Sequence, residues 1–249
     1  MTMYLTKFPI NMTRRETRFM LSSPYRMHAA IAGSFASVTQ EQDGRVLWRI
    51  DHGVNNTASL YIVSPNIPSL VGLDEQIGWP DLAQQWQTRD YAAVLDMLKE
   101  GQIFNFRLVA NPIVNRRAIT DKYGRSKRLP HVTTLQQSAW LMGSDAYTDA
   151  QLPVPEYLSH QSSSRAERCG FEVVKDKETG VRRLAVSNTR TWSFKQGQGG
   201  NNIRLATAQY DGVLRVSDAG LMRHALTNGI GRGKGFGCGL LTIAPVESS

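Results

Sequence analysis

Cysteine is scarce in this sequence. Two occur in 249 residues, Cys169 and Cys238. Two lone thiols make neither a disulfide framework nor a zinc pattern. Long apolar runs are also lacking. No stretch approaches ~18 uninterrupted apolar residues, so no membrane-spanning helix is expected. The opening MTMYLTKFPINMTRRE has no apolar core of a signal peptide, and the expectation is a cytoplasmic protein. Asn11-Met12-Thr13 and Asn55-Asn56-Thr57 fit a glycosylation acceptor, but without a secretory signal they carry no meaning. Gly-x-Ser-x-Gly, His-Glu-x-x-His and paired Cys-x-x-Cys are absent, so hydrolysis by a serine triad or a zinc site has no support. Besides His28, the histidines at 52, 131, 160 and 224 are scattered without metal-ligand spacing. Neither a metal nor a small-molecule cofactor is expected.

What is present is an ordinary globular composition, 41% hydrophobic and 20% charged. That excludes a disordered chain, a fibre and a disulfide-rich miniprotein. The length allows one large domain or two small ones, each able to bury a core. The charge is uneven. Residues 1–100 hold 9 Lys/Arg and 10 Asp/Glu, whereas residues 101–249 hold 20 and 11. The densest group is Arg116, Arg117, Lys122, Arg125, Lys127 and Arg128, opposed only by Asp121. Such a run is either a solvated loop or a surface for a polyanion, and the asymmetry between the halves favours the polyanion. No basic amphipathic helix points to a membrane.

Periodicity suggests a repeated unit. Tyr4–Ile10 reads as a strand and Thr13-Arg14-Arg15-Glu16 as a break. Ser23-Pro24 starts a helix running to about Val38, with a hydroxyl cap and proline at the first position. Val46–Ile50 and Ser59–Val63 read as strands. A broken helical pattern lies between Asp81 and Lys99, and a closing strand is hard to place. The pattern restarts with a strand at Ile103–Ala110, the basic loop, and a helix capped by Thr133 or Thr134. Phe171–Val174 and Arg183–Val186 suggest a hairpin around Gly180. Ser187–Asn202 reads as a polar loop, and Ile203–Val216 as strand material with a turn at Asp211-Gly212. A helix capped by Ser217 or Asp218 ends at Asn228-Gly229, and a last strand spans Leu240–Ala244. The fold class expected is α+β, two tandem ferredoxin-like βαββαβ domains. The domains are placed at 1–98 and 99–249, with the basic and glycine-rich loops in the second.

Two local features bear on chemistry. Gly229 to Gly239 carries glycine at six alternate positions. It fits neither a Walker A nor a dinucleotide fingerprint. Its exposed backbone N–H groups, with Arg232 and Lys234, suit a phosphate backbone. A turn packed on its neighbours is an equal reading. The second feature is the first helix. At 100° per residue, Met27, Ile31, Ser34, Phe35 and Val38 form one arc of about 100°. Tyr25 lies roughly 130° from its centre and His28 roughly 70°. Three apart, they are neighbours on the off-core face, where they could reach a substrate. A surface or capping role is the plainer alternative.

Taken together, several stretches resemble the CasE (Cse3) family of CRISPR RNA endoribonucleases from type I-E Cascade systems. They are Met3–Lys7, Pro24-Tyr25-Arg26-Met27-His28, Phe106–Pro112, the basic loop ending at Arg128, Gln137–Leu141, Tyr210–Leu214 and Gly229–Leu241. They fall in the family's order across both halves. Segments 66–98 and 145–205 match poorly. The resemblance implies tandem ferredoxin-like (RAMP, or RRM-like) domains and metal-independent cutting of CRISPR precursor RNA at the base of a repeat hairpin. It implies His28 as the catalytic histidine with Tyr25 as its helper, and the basic loop as the hairpin contact. The implied partners are the repeat hairpin, the mature crRNA and other Cascade subunits. A non-catalytic RNA-hairpin-binding subunit is the alternative.

Overall fold

A computed structural model describes residues 2–35, 45–54, 56–79, 86–120, 124, 126–197 and 199–246. The chain divides into two units. The first is Met1–Met97 with two returning segments, Trp192–Leu205 and Leu226–Leu240. The second is Leu98–Thr191, Ala206–Ala225 and Leu241–Ser249.

In the first unit the chain runs β1 (Tyr4–Asn11), α1 (Arg15–Leu21), α2 (Pro24–Ala32), β2 (Leu47–His52), β3 (Thr57–Ser64), α3 (Val71–Ile77), β4 (Gln87–Asp90) and α4 (Ala92–Asp96). The sheet order is β2-β3-β1-β4, and every pairing is antiparallel. With a helix crossing after β1 and another after β3, this is the ferredoxin-like arrangement. The alternation along β1 explains its place. Thr6, Phe8 and Ile10 are buried and Lys7 is exposed, as in a strand with one face on a core. Phe8 and Ile10 pack with Met27, Ile31, Trp48, Leu60 and Ile62. Each fully buried side chain of this kind contributes roughly 1.5–3 kcal/mol.

Several local expectations need correction here. The break after β1 holds at Thr13-Arg14, but from Arg15 the chain is α1. Only Thr17 and Met20 of α1 are buried, too few to show a helical period. Thr17 ties the helix to β1 by donating its hydroxyl to the Asn11 carbonyl at 2.6 Å. Helix α2 begins at Pro24 as expected, but the Ser23 side chain makes no cap bond. It ends at Ala32, where the Gly33 N–H closes on the Ala29 carbonyl at 3.0 Å. Val38 lies outside the described residues. The helical pattern sought between Asp81 and Lys99 is α4 in its later part, and before it lies β4, the closing strand, whose Thr88 pairs with Thr6.

The second unit contains β5 (Ile103–Ala110), β6 (Ile113–Thr120), β7 (Ser126–Pro130), α5 (Thr134–Met142), α6 (Asp145–Asp149), α7 (Glu156–Ser159), α8 (Arg165–Arg168) and β8 (Phe171–Val173). They are followed by β9 (Leu184–Lys195), β10 (Asn202–Val216), α9 (Ala219–Asn228) and β11 (Leu241–Pro245). The far ends of β9 and β10 and the end of α9 belong to the first unit. The sheet order β11-β5-β10-β8 repeats that of the first unit, again antiparallel. Thr133 caps α5 reciprocally with Gln136. Tyr210 is fully buried against Trp140 and donates to the Gln137 carbonyl at 3.1 Å.

Two more expectations change. Ser187–Asn202 is not a loop: most of it is β9, which pairs with β10. Its residues are polar because most of β9 is exposed. Nor is there a turn at Asp211-Gly212, since β10 runs through it. Gly212 is needed for clearance. A Cβ there would sit 2.4 Å from the Arg183 carbonyl and 3.0 Å from the Phe106 ring. Accordingly β8 pairs with β10 rather than with β9, and the turn around Gly180 is closed by a bridge between Lys175 and Arg182.

Candidate active site and nucleic-acid interface

Tyr25 and His28 stand one turn apart on α2, Tyr25 half-buried and His28 exposed. Tyr25 packs against a small apolar cluster of Phe194, Leu205 and Cys238, joined by Trp192, Ile203 and Phe236. The His28 ring meets the Phe236 ring at 6.0 Å between centroids, inclined at 69°. Both residues face glycine. A Cβ on Gly235 would lie 3.5 Å from His28 Cε1, and one on Gly197 would lie 3.5 Å from the Tyr25 hydroxyl. The pair therefore presents an imidazole and a phenol beside open backbone. Each is a group that can exchange a proton with a substrate brought within hydrogen-bond reach.

The glycine block is a packed turn held from outside. Lys234–Phe236 form one 3-10 turn, flanked by Gly233 and Gly237 in the left-handed region. Trp48 Nε1 donates to the Gly235 carbonyl at 3.3 Å. Buried Arg49 donates to the Leu240 carbonyl at 3.0 Å and is itself fixed by Asp51 at 2.6 Å. A Cβ on Gly237 would come within 2.8 Å of the Trp48 ring, and one on Gly239 within 2.9 Å of the Ile230 carbonyl. At these positions glycine answers to close packing. Arg232 is exposed and Lys234 half-buried in the same turn. Neither Trp48 nor Arg49 gave a sequence signal, because each meets the turn across almost the whole chain.

Cys238 lies under this turn. Burial pushes its thiol up to about 12, which removes it as a nucleophile near neutral pH. Among the described residues, no group of three or more His, Cys, Asp or Glu is placed to hold a metal ion.

The basic segment is no simple loop. Strands β6 and β7 form a two-stranded antiparallel ribbon, with Asn115 opposite Arg128 and Arg116 opposite Lys127. The register shifts between Arg116 and Thr120. Arg117 lies on β6 in that irregular stretch, and Arg128 is exposed. Lys122 and Arg125 lie outside the described residues. Other basic residues of this half are already engaged. Arg182 is clamped by Asp145 and Asp149, and Arg107 pairs with Asp211 at 2.5 Å. Arg165 lies over Trp140 at 4.4 Å, where burial lowers its pKa below the usual arginine value.

Comparison with known proteins adds to this geometry. A family model described as CRISPR associated protein matches residues 3–245. Cse3 of Thermus thermophilus, a CRISPR-associated endoribonuclease, is 27% identical over 246 residues, covering 98% of this chain and all of that protein. The chain belongs to the CasE (Cse3) family of CRISPR-associated proteins. Another relative is the Cascade subunit CasE of Escherichia coli, 26% identical over 157 residues, or 60% of this chain and 61% of that one. A solved structure of T. thermophilus Cse3, bound to an RNA representing a pre-cleavage complex, superposes with a TM-score of 0.71 at 25% identity. That match covers 98% of this chain and all of the other. Cas6e of E. coli shares the fold with a TM-score of 0.56 at 21% identity, over 98% of this chain and all of that one. The family match spans both units, as expected for two ferredoxin-like domains in tandem. No described helix is long and apolar enough to cross a membrane.

Proposed function

We propose that this chain is a metal-independent endoribonuclease that cuts CRISPR precursor RNA at the base of the repeat hairpin. The observation that carries the reading is the pairing of Tyr25 and exposed His28 on one face of α2, beside Gly197 and Gly235. The ribose 2′-OH next to the scissile phosphate attacks it, and the bond to the 5′ oxygen breaks. The products are a 2′,3′-cyclic phosphate and a 5′-OH. One group must take the 2′ proton and another must protonate the leaving oxygen. A histidine can do either near neutrality. A tyrosine hydroxyl can orient the 2′-OH or donate to a phosphate oxygen. Arg232 and Lys234, in the glycine block whose Gly235 faces His28, are the candidate cations for charge that builds on the phosphorus oxygens.

The ribbon of β6 and β7 is the hairpin contact in this reading. Arg116 and Lys127 oppose each other across it, and like charges at opposed positions destabilise a ribbon. An A-form phosphate backbone is the counter-charge in this reading, with flanking unpaired bases or the closing pair giving preference. A relative named as a Cascade subunit supports entry into Cascade with the product, and Cse3 bound to a pre-cleavage RNA supports RNA as the substrate.

The test uses the host's repeat hairpin in EDTA, beside a copy with 2′-deoxyribose at the junction. The first is cut and the second is not. His28→Ala lowers the single-turnover rate by at least about a hundredfold, with RNA affinity nearly unchanged. Tight binding of both hairpins without cutting would instead mark a binding subunit, and a strict Mg²⁺ requirement would contradict the mechanism.

A further inference from the structure

His28 is exposed, and no hydrogen bond among the described residues holds its ring. An exposed histidine turns about two side-chain bonds, yet proton transfer requires one orientation. The ring contact that restricts it is with Phe236, 6.0 Å away at 69°.

Phe236 is itself fixed from three sides. Its N–H donates to the Gly233 carbonyl at 2.8 Å. The residue before it is pinned through its carbonyl by Trp48. Its ring leans on buried Phe194 at 5.1 Å and 67°, within the cluster that also seats Tyr25. Rigid backbone, buried ring, half-buried ring and exposed imidazole thus follow one another in a row.

We propose that Phe236 is a positioning residue for the cleavage step: its ring holds the His28 imidazole in the orientation the reaction uses. The proposal rests on the reading of His28 as a participant in cleavage. A small misplacement of a reacting group can cost about a hundredfold in rate, so a partial loosening should be easily measured.

The experiment compares Phe236→Leu, which keeps apolar bulk, with Phe236→Tyr, which keeps the ring. Single-turnover cleavage is measured at saturating protein, and RNA affinity separately. Ring-labelled histidine reports the His28 Cε1–H resonance, which sits in the ring current of Phe236. Phe236→Leu should slow cleavage roughly tenfold, leave affinity within about twofold and move the His28 resonance alone among the 5 histidines. Phe236→Tyr should restore both rate and resonance. If Phe236→Leu loses its fold, Phe236→Met takes its place in the same comparison.

A leucine variant that cuts as fast as the parent overturns the proposal. So does a tyrosine variant as slow as the leucine one, or a loss of affinity equal to the loss of rate. His28→Ala is run beside them. If it still cuts, the reading of His28 fails and the positioning role with it. If it is inactive while Phe236→Leu is fully active, the positioning role alone is wrong.

Discussion

Replacing Gly237 by alanine should damage the protein far more than the same change two residues earlier. At Gly237 φ is +80°, and an added Cβ would lie 2.8 Å from Trp48 Cζ3 and 3.0 Å from Cη2. The left-handed backbone alone costs a non-glycine residue roughly 1–2 kcal/mol. Forcing a methyl into filled space adds roughly 1–3 kcal/mol. Trp48 cannot swing aside cheaply, since its ring is buried and its Nε1 is bonded to the Gly235 carbonyl. The sum is about 2–5 kcal/mol, a large share of a typical domain's stability. Gly235 has no such constraint. Its added Cβ would meet only the His28 ring, no closer than an ordinary 3.5 Å, so Gly235→Ala should change stability by no more than about 0.5 kcal/mol. Thermal unfolding followed by far-UV circular dichroism separates the two. For a chain of this size, Gly237→Ala should lower the midpoint by on the order of 10 °C, and Gly235→Ala by about 2 °C or less. Equal midpoints for the two variants would show that Trp48 does not wall the turn, and the account of the glycine block would fall.

Reversing the charge at Arg116, Lys127 and Arg128 together should weaken RNA binding and flatten the dependence of log K on log salt by roughly 0.7–0.9 per lost phosphate contact. Arg182→Gln, whose charge is spent on Asp145 and Asp149, should leave that slope alone; the reverse pattern would remove the ribbon from the interface. Cys238 should resist alkylation until the chain unfolds, because its thiol is buried and pushed up to about 12 from 9.0. The native chain then keeps a proton that the unfolded chain gives up above about pH 9. That contribution is whole below about pH 9 and falls as pH rises toward about 12. A Cys238→Ala chain with an unchanged alkaline stability slope would refute it.

The sequence showed the fold where a strand or helix has one buried face of its own. Strands β1, β3 and β5, the capping box at Thr133 and the turn of α9 onto Asp218 all carry local patterns that survive folding. It did not show α1, which is too short for a period, or β9, whose exposed residues look like a loop. Gly212 misled because a clearance glycine in mid-strand resembles a turn residue. Strands β6 and β7 were hidden by their charge. At the candidate site, Tyr25 and His28 came from the helical wheel together with the family resemblance, and the structure sets both on α2. The residues that fix their surroundings were not. Trp48, Phe194 and Phe236 meet only through tertiary contacts, and a pairing such as Trp48 with Gly235, 187 residues apart, leaves no mark on either neighbourhood.

That separation has a consequence for the life of the chain. The first unit takes its closing pieces from Trp192–Leu205 and Leu226–Leu240, so the N-terminal third leaves the ribosome without the wall that faces His28. At about 5–20 residues per second, the ribosome needs roughly 7–30 s more to supply it. During that time the nascent chain carries His28 but not the turn that lies against it. A ribosome is surrounded by RNA, and on the proposed reading a nuclease assembled from both ends of its sequence stays unarmed until its own message has been read.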